Sequence, residues 1–225
     1  FGTFGAVIAM RGPLKNRRAL LDVGIAGPLA GLVMAVPILL IGLATSPVVP
    51  ITGGLVEGNS LLYAGAKILV FGRFLPDGQV DVLLNQFAWA GWTGLFVTAL
   101  NLIPLGQLDG GHLLYSLLGE RVRRLYYPMM AAFVLLPLFV STLWAVFWLL
   151  LLFVGGFYAV PLDAITPLET RRRRLALGTL LLFLLIFPPV PLSGMGVGGG
   201  LLASPLASAG LLLTSVLIVL RQRWR

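Results

Sequence analysis

Residues 125–157 contain no charged side chain. As one helix they would reach about 50 Å, against a bilayer hydrocarbon core of about 30 Å. The run therefore predicts a hairpin of two short spans, bending near residues 137–142. The rest of the chain repeats the theme. Basic residues cluster at 11–18, 121–124, 171–174 and 221–225, and apolar runs lie between them. Only 11% of the residues are charged and 58% are hydrophobic, where a soluble domain is about 25% charged. The chain reads as an integral membrane protein. Its net charge of +8 sits where membrane-flanking charge sits, so membrane lipids are the expected partner and nucleic acid is not. The absence of cysteine excludes disulfides and thiolate metal sites.

Residues 1–18 are too short to span and alternate Phe4, Ala6 and Ile8 ahead of a Gly12-Pro13 turn. They predict a short strand or hairpin at the membrane surface. Residues 19–43 form the first span, with Gly24, Gly27 and Gly31 as a small-residue face that lets another helix approach closely. Residues 44–60 read as loop. Residues 61–75 carry Lys67 and Arg73 and read as interfacial or re-entrant. Residues 82–104 are the second span, with Trp89 and Trp92 suited to an interface. A short helix follows over residues 110–118. Thr166, Pro167 and Glu169 form a helix start. Residues 175–189 and 201–220 are further apolar runs. All four basic clusters fall on one side, the cytoplasmic one, if residues 61–75 do not cross. The expected architecture is an all-α polytopic membrane protein with about six transmembrane helices, one of them broken. The expected segments are 1–18 at the membrane surface, 19–120 as core, 121–190 as additional helices, and 191–225 as a Gly/Pro-rich loop and terminal span.

Polar groups at membrane depth are expensive and usually functional. They concentrate in residues 101–112, NLIPLGQLDGGH. Pro104 removes a backbone donor and ends the helix before it. Gly106, Gly110 and Gly111 let the chain turn and approach other backbone. The product is a broken helix with Asp109 at the break. An ionised Asp there needs a cation, a metal or hydrogen-bond donors, and a metal is the economical choice where basic residues are scarce. Asn101 can hold substrate backbone or an oxyanion, or simply bond backbone groups freed by the break. His112 is the only histidine. It lies three residues from Asp109, as a ligand or, the favoured reading, as a supporting or interfacial residue. Asp109 and His112 together fall short of the three protein ligands of a catalytic zinc.

The spacing N-x-x-P-x-x-x-x-D-G, matched by Asn101, Pro104, Asp109 and Gly110, resembles the second active-site motif of the site-2 proteases, the intramembrane zinc metalloproteases. FGTFGAVI, NRRALLDVGIAGPLAG, AGWTGLFVTALNLIPLGQLDGGH and PLDAITPLE resemble, in that order, the bacterial, cyanobacterial and plastid branch of that family. The resemblance covers most of residues 1–190. It implies that Asp109 is the third zinc ligand, that Asn101 helps bind substrate, and that Gly27 and Gly31 seat the middle helix of the catalytic core. Residues 1–10 resemble the membrane-edge strand that accepts an unwound substrate. The implied activity is cleavage of a transmembrane protein substrate in a bacterial plasma membrane or a thylakoid or plastid membrane. The family's first motif, H-E-x-x-H, supplies two zinc ligands and the general base, and it is absent. It belongs just upstream of FGTFGAVI, so the expectation is an N-terminally truncated and inactive chain. The alternatives are a non-catalytic scaffold derived from the protease and a small transporter with a broken-helix carboxylate. No internal repeat supports the transporter.

Overall fold

The computed structural model describes residues 14–194 apart from 52, 142, 155, 157, 164, 165 and 167. The expected strand over residues 1–13 and the apolar run after residue 194 lie outside the described residues. The described chain is mostly helical. Helix α1 (Arg17–Ala44) begins where the Asn16 side chain accepts from the Ala19 amide, an N-cap that satisfies one orphan donor. Its 28 residues rise about 42 Å, more than a bilayer core requires. Pro28 and Pro37 lie inside it. Strands β1 (Val48–Pro50) and β2 (Leu55–Glu57) follow, then α2 (Leu61–Phe71), β3 (Val80–Val82), α3 (Gln86–Asn101), α4 (Asp109–Leu118), α5 (Val122–Phe139), α6 (Trp144–Val154), α7 (Thr170–Ile186) and β4 (Leu192–Gly194). Among the described residues, two continuous helical stretches are long and apolar enough to cross a membrane, α1 and the Asp109–Phe139 run that joins α4 to α5.

Helices α1 and α3 form the spine, packed antiparallel. A Cβ on Gly42 would lie 2.1 Å from the Ala88 amide nitrogen, and one on Gly91 would lie 2.5 Å from Leu39 backbone. Gly94 meets Ala35 and Gly31 meets Thr98. Glycine at these positions lets the two backbones approach more closely than a side chain would permit. The ends are tied as well. The Asn85 side chain caps α3 at Ala88 and donates to Thr45 Oγ1 at 2.8 Å. Residues 46–84 therefore leave and re-enter the bundle at the same end, and α2 does not carry the chain to the other.

Residues 44–60 are not a plain loop. β1 pairs antiparallel with β3, and β2 pairs antiparallel with β4. Residues 192–194, expected to begin a loop, are thus a strand, because β2 offers them a free edge. Lys67, in the segment expected to be interfacial or re-entrant, is fully buried within the protein. Its Nζ lies 3.0 Å from Glu57 and 3.5 Å from Asp81, so the strands cancel its charge. Trp92 is also buried rather than interfacial, and its indole donates to the Gly58 carbonyl at 2.9 Å.

The uncharged run folds as the α5–α6 pair, α5 ending at Phe139 and α6 beginning at Trp144. Trp148 of α6 donates to the Met130 carbonyl of α5 at 3.1 Å. Helix α7 starts at Thr170, later than expected, because the Thr166 hydroxyl and amide are already engaged by Asp163. Residues 14–16 run alongside residues 162–163, with Leu162 donating to Leu14 at 2.8 Å.

Ion pairs and hydrogen bonds gather three of the basic segments at one end. Arg17 donates to the Ser116 carbonyl at 2.9 Å, Arg18 pairs with Glu169 at 3.0 Å, and Arg172 pairs with Asp22. Arg123 pairs with Glu120, which also accepts from Tyr115 of α4.

Candidate metal centre

Helix α3 ends at Asn101. Residue 104 is proline and cannot donate back to residue 100, so the ladder stops there. The Leu102 amide still reaches the Thr98 carbonyl at 3.0 Å, and Leu108 closes the turn onto Leu105 at 3.3 Å. Gly106 takes φ +57°, a left-handed value that only glycine adopts without strain. The chain then re-enters a helix at Asp109 with Leu108 as a cap lacking any side-chain bond. The break expected from the sequence spans residues 102–108.

The two glycines after Asp109 make the return possible. A Cβ on Gly110 would stand 2.0 Å from the Leu102 carbonyl oxygen, and one on Gly111 would stand 2.2 Å from that of Gly106. Any other residue would push α4 away from the turn. Asp109 thereby starts its helix beside free amides, at the positive end of the helix dipole, where a carboxylate is favoured.

The small-residue face of α1 forms the floor. A Cβ on Gly27 would lie 3.2 Å from Asp109 Oδ2, and one on Gly24 would lie 3.0 Å from the Asp109 carbonyl oxygen and 3.1 Å from His112 Cβ. Gly31, one turn further on, faces Thr98 of α3 instead. All three predicted packing glycines therefore contact the broken helix, and two contact the residues of the site itself. Gly27 is ten residues into α1 from Arg17, which places Asp109 about 15 Å along the helix from its arginine end. That is near the middle of a bilayer if α1 spans one.

Among the described residues the Asp109 carboxylate has neither an ion pair nor a hydrogen-bond donor from a side chain. His112, interfacial in one sequence reading, is instead 7% exposed with its Nδ1 unpartnered. Ser116 is fully buried and its Oγ is unpartnered too. Asp109, His112 and Ser116 are spaced three and four residues apart and share one face of α4. Tyr158 leans its ring toward Tyr115, 6.2 Å between centroids, and its hydroxyl lies against the Gly106 backbone at the break. Ser116 and Tyr158 escaped the sequence reading. For Ser116 the one available signal was its helical spacing from Asp109. Tyr158 carried none.

A carboxylate against the Gly27 face of α1, with no side-chain donor or cation on it among the described residues, suits one ligand of a divalent cation. No group of three or more metal-ligating side chains occurs among the described residues. The fit is that of a single ligand, and a zinc needs at least two more.

A family model described as peptidase family M50 matches residues 1–146. A probable chloroplastic zinc metalloprotease of Arabidopsis thaliana, EGY2, is 32% identical over 201 residues, covering 87% of this chain and 36% of that protein. The probable chloroplastic zinc metalloprotease EGY1 of Oryza sativa subsp. japonica is 33% identical over 124 residues, 53% of this chain and 21% of that one. A DDT domain-containing protein, PTM, of Arabidopsis thaliana is 32% identical over 124 residues, which are 7% of its length. The chain thus spans about a third or less of the curated relatives it matches. No solved structure matches it.

Proposed function

The chain belongs to peptidase family M50, the site-2 protease family, and on that premise we propose that it is the aspartate-bearing part of an intramembrane zinc endopeptidase. The carrying observation is the Asp109 carboxylate, without an ion pair among the described residues, on the Gly27 floor of the membrane-length helix α1. In this reading Asp109 is one zinc ligand. Zinc, when bound, supplies Lewis acidity and a water that ionises near neutral pH. Asn101, at the last turn before the break, presents an amide that holds the backbone of an unwound transmembrane substrate. Pro104, Gly106, Gly110 and Gly111 fix the break that brings Asp109 to α1. Gly24, Gly27 and Gly31 seat α1 against it. His112 supports the site from the following turn and leaves ligation to other residues. Residues 19–120 are the core that this chain contributes.

The 225 residues hold one histidine and no H-E-x-x-H. In this reading the other two ligands and the general base come from residues other than these 225, which alone do not cleave. The test appends the upstream coding sequence and measures zinc by mass spectrometry on the purified membrane protein. About one zinc per chain is expected, with loss of the metal in Asp109→Ala and retention in His112→Ala. Unchanged zinc in Asp109→Ala sinks the ligand assignment. Cleavage of a transmembrane substrate by residues 1–225 alone sinks the divided site.

A further inference from the structure

We propose that the groove between α1 and α7 binds one anionic phospholipid, its phosphate against Arg171 and Arg174 and an acyl chain along Leu175, Gly178 and Leu182. The groove measures about 720 Å³ and is closed on the α1 side by Leu29, a size within the range of ligand sites.

Charge carries the first part. Helix α7 opens with four arginines at residues 171–174, at the end of the helix where the dipole is positive. Its first turn has no acidic residue, and the Glu169 side chain pairs with Arg18 and does not cap the helix amides. Arg172 is matched by Asp22 of α1. Arg171 and Arg174 have no ion pair among the described residues. They stand three apart on one exposed face, at the mouth of the groove. Two guanidiniums without an ion pair among the described residues, at a helix N-terminus, suit an anion, and a guanidinium pairs well with phosphate.

Shape carries the second part. Below the arginines the lining turns apolar, with Leu175 and Leu29 both partly exposed toward it. A Cβ on Gly178 would meet nothing within 4 Å, so the floor is open in the middle. Thr179 turns its hydroxyl inward to the Leu175 carbonyl at 3.0 Å and offers the groove no free polar group. A cationic mouth over an apolar slot is complementary to a headgroup with one acyl chain. A zwitterionic lipid carries its own cation and gains less. The inference requires only that the apolar run of α7 lies in the bilayer and is independent of Asp109, so the zinc measurements do not bear on it.

The test reconstitutes the full chain in phosphatidylcholine nanodiscs containing spin-labelled phosphatidylglycerol or spin-labelled phosphatidylcholine and measures the motionally restricted fraction. The native protein should prefer phosphatidylglycerol. Arg171→Gln with Arg174→Gln should cut that preference roughly thirtyfold, about fivefold for each cation near the membrane surface. Gly178→Leu fills the slot without touching charge and should reduce the restricted fraction of both lipids. It adds a good helix former in open space, so it folds. Equal retention of both lipids by the native protein overturns the proposal, as does a preference surviving both variants. Displacement of the labelled lipid by inorganic phosphate alone overturns it too. So does a benzophenone at position 175 that captures a polypeptide in place of lipid.

Discussion

Two polar clusters are buried in this bundle, at different levels along α1, and they are built on opposite rules. Near the end where α1 finishes, Lys67 is enclosed with every neighbour matched. Glu57 and Asp81 face its ammonium, Tyr63 donates to Glu57 at 2.8 Å, and the Tyr63 ring lies 4.6 Å below the Lys67 nitrogen. Along α4, nearer the arginine end, Asp109, His112 and Ser116 line one face, and the His112 Nδ1 and Ser116 Oγ are unpartnered among the described residues. A matched cluster fixes architecture, since its parts come from α2, β2 and β3 and hold these three together. An unmatched one costs free energy in the isolated fold. The zinc reading supplies a partner for Asp109, the member of this face that carries a carboxylate.

The sharpest way to break this contrast is to remove the cation from the matched cluster. Lys67→Met leaves two carboxylates buried together and should cost about 3–5 kcal/mol, read from denaturant titration of the reconstituted protein. Adding Glu57→Gln and Asp81→Asn should recover most of that loss, because a neutral buried cluster avoids the desolvation of ions. A Lys67→Met protein that unfolds no earlier than the parent would show that the cluster is not structural.

Glycines extend the comparison. Gly42→Val forces a side chain onto the Ala88 backbone, which cannot yield without separating α1 from α3, and should cost about 1–3 kcal/mol. Gly27→Ala meets only the end of the Asp109 side chain at 3.2 Å. It should leave the unfolding midpoint nearly unchanged while lowering zinc affinity in the extended protein. Equal stability losses at the two positions would erase the distinction between a packing glycine and a site glycine.

Asp109 gives the opposite sign from Lys67. Asp109→Asn removes a carboxylate that no described side chain compensates, so the metal-free protein should hold its stability or gain up to about 1 kcal/mol. A loss of several kcal/mol in the same titration would reveal a partner for this carboxylate and place it with the matched cluster.

The contrast also explains what was legible in the sequence. The helix break was readable because its causes are local. Pro104 stops the ladder, and Gly106, Gly110 and Gly111 permit the return within ten residues. The glycine face of α1 was readable because its spacing is helical. The Lys67 cluster was not, since Glu57 and Asp81 reach it from strands separated in sequence, and an isolated lysine in an apolar segment looks interfacial. The β2–β4 pair joins residues 55–57 to residues 192–194, a contact that no local pattern announces. The start of α7 moved for a local reason of a different kind. Thr166 has the chemistry of a cap, but Asp163 claims its hydroxyl first.

Asp77 sets the small end of the scale, because it is a matched carboxylate in water. It accepts from the Val80 and Gln79 amides at 3.0 and 3.1 Å and pairs with Arg73 at 3.0 Å. These backbone donors, with Arg73 adding less, hold its carboxyl below the usual value. A lowered folded value means that its contribution is present above the unfolded value, about pH 4, and is lost as pH falls through the lower folded one. Native protein should therefore lose a little stability below about pH 4 that Asp77→Asn does not lose, since the amide keeps one acceptor but no longer titrates. Thermal unfolding at stepped pH reads the difference between the two curves. It should be far smaller than the Lys67→Met loss, because solvent screens an exposed charge and an exposed pair is worth little. If the two curves separate by as much as Lys67→Met and the parent do, burial is not what separates the strong cluster from the weak one.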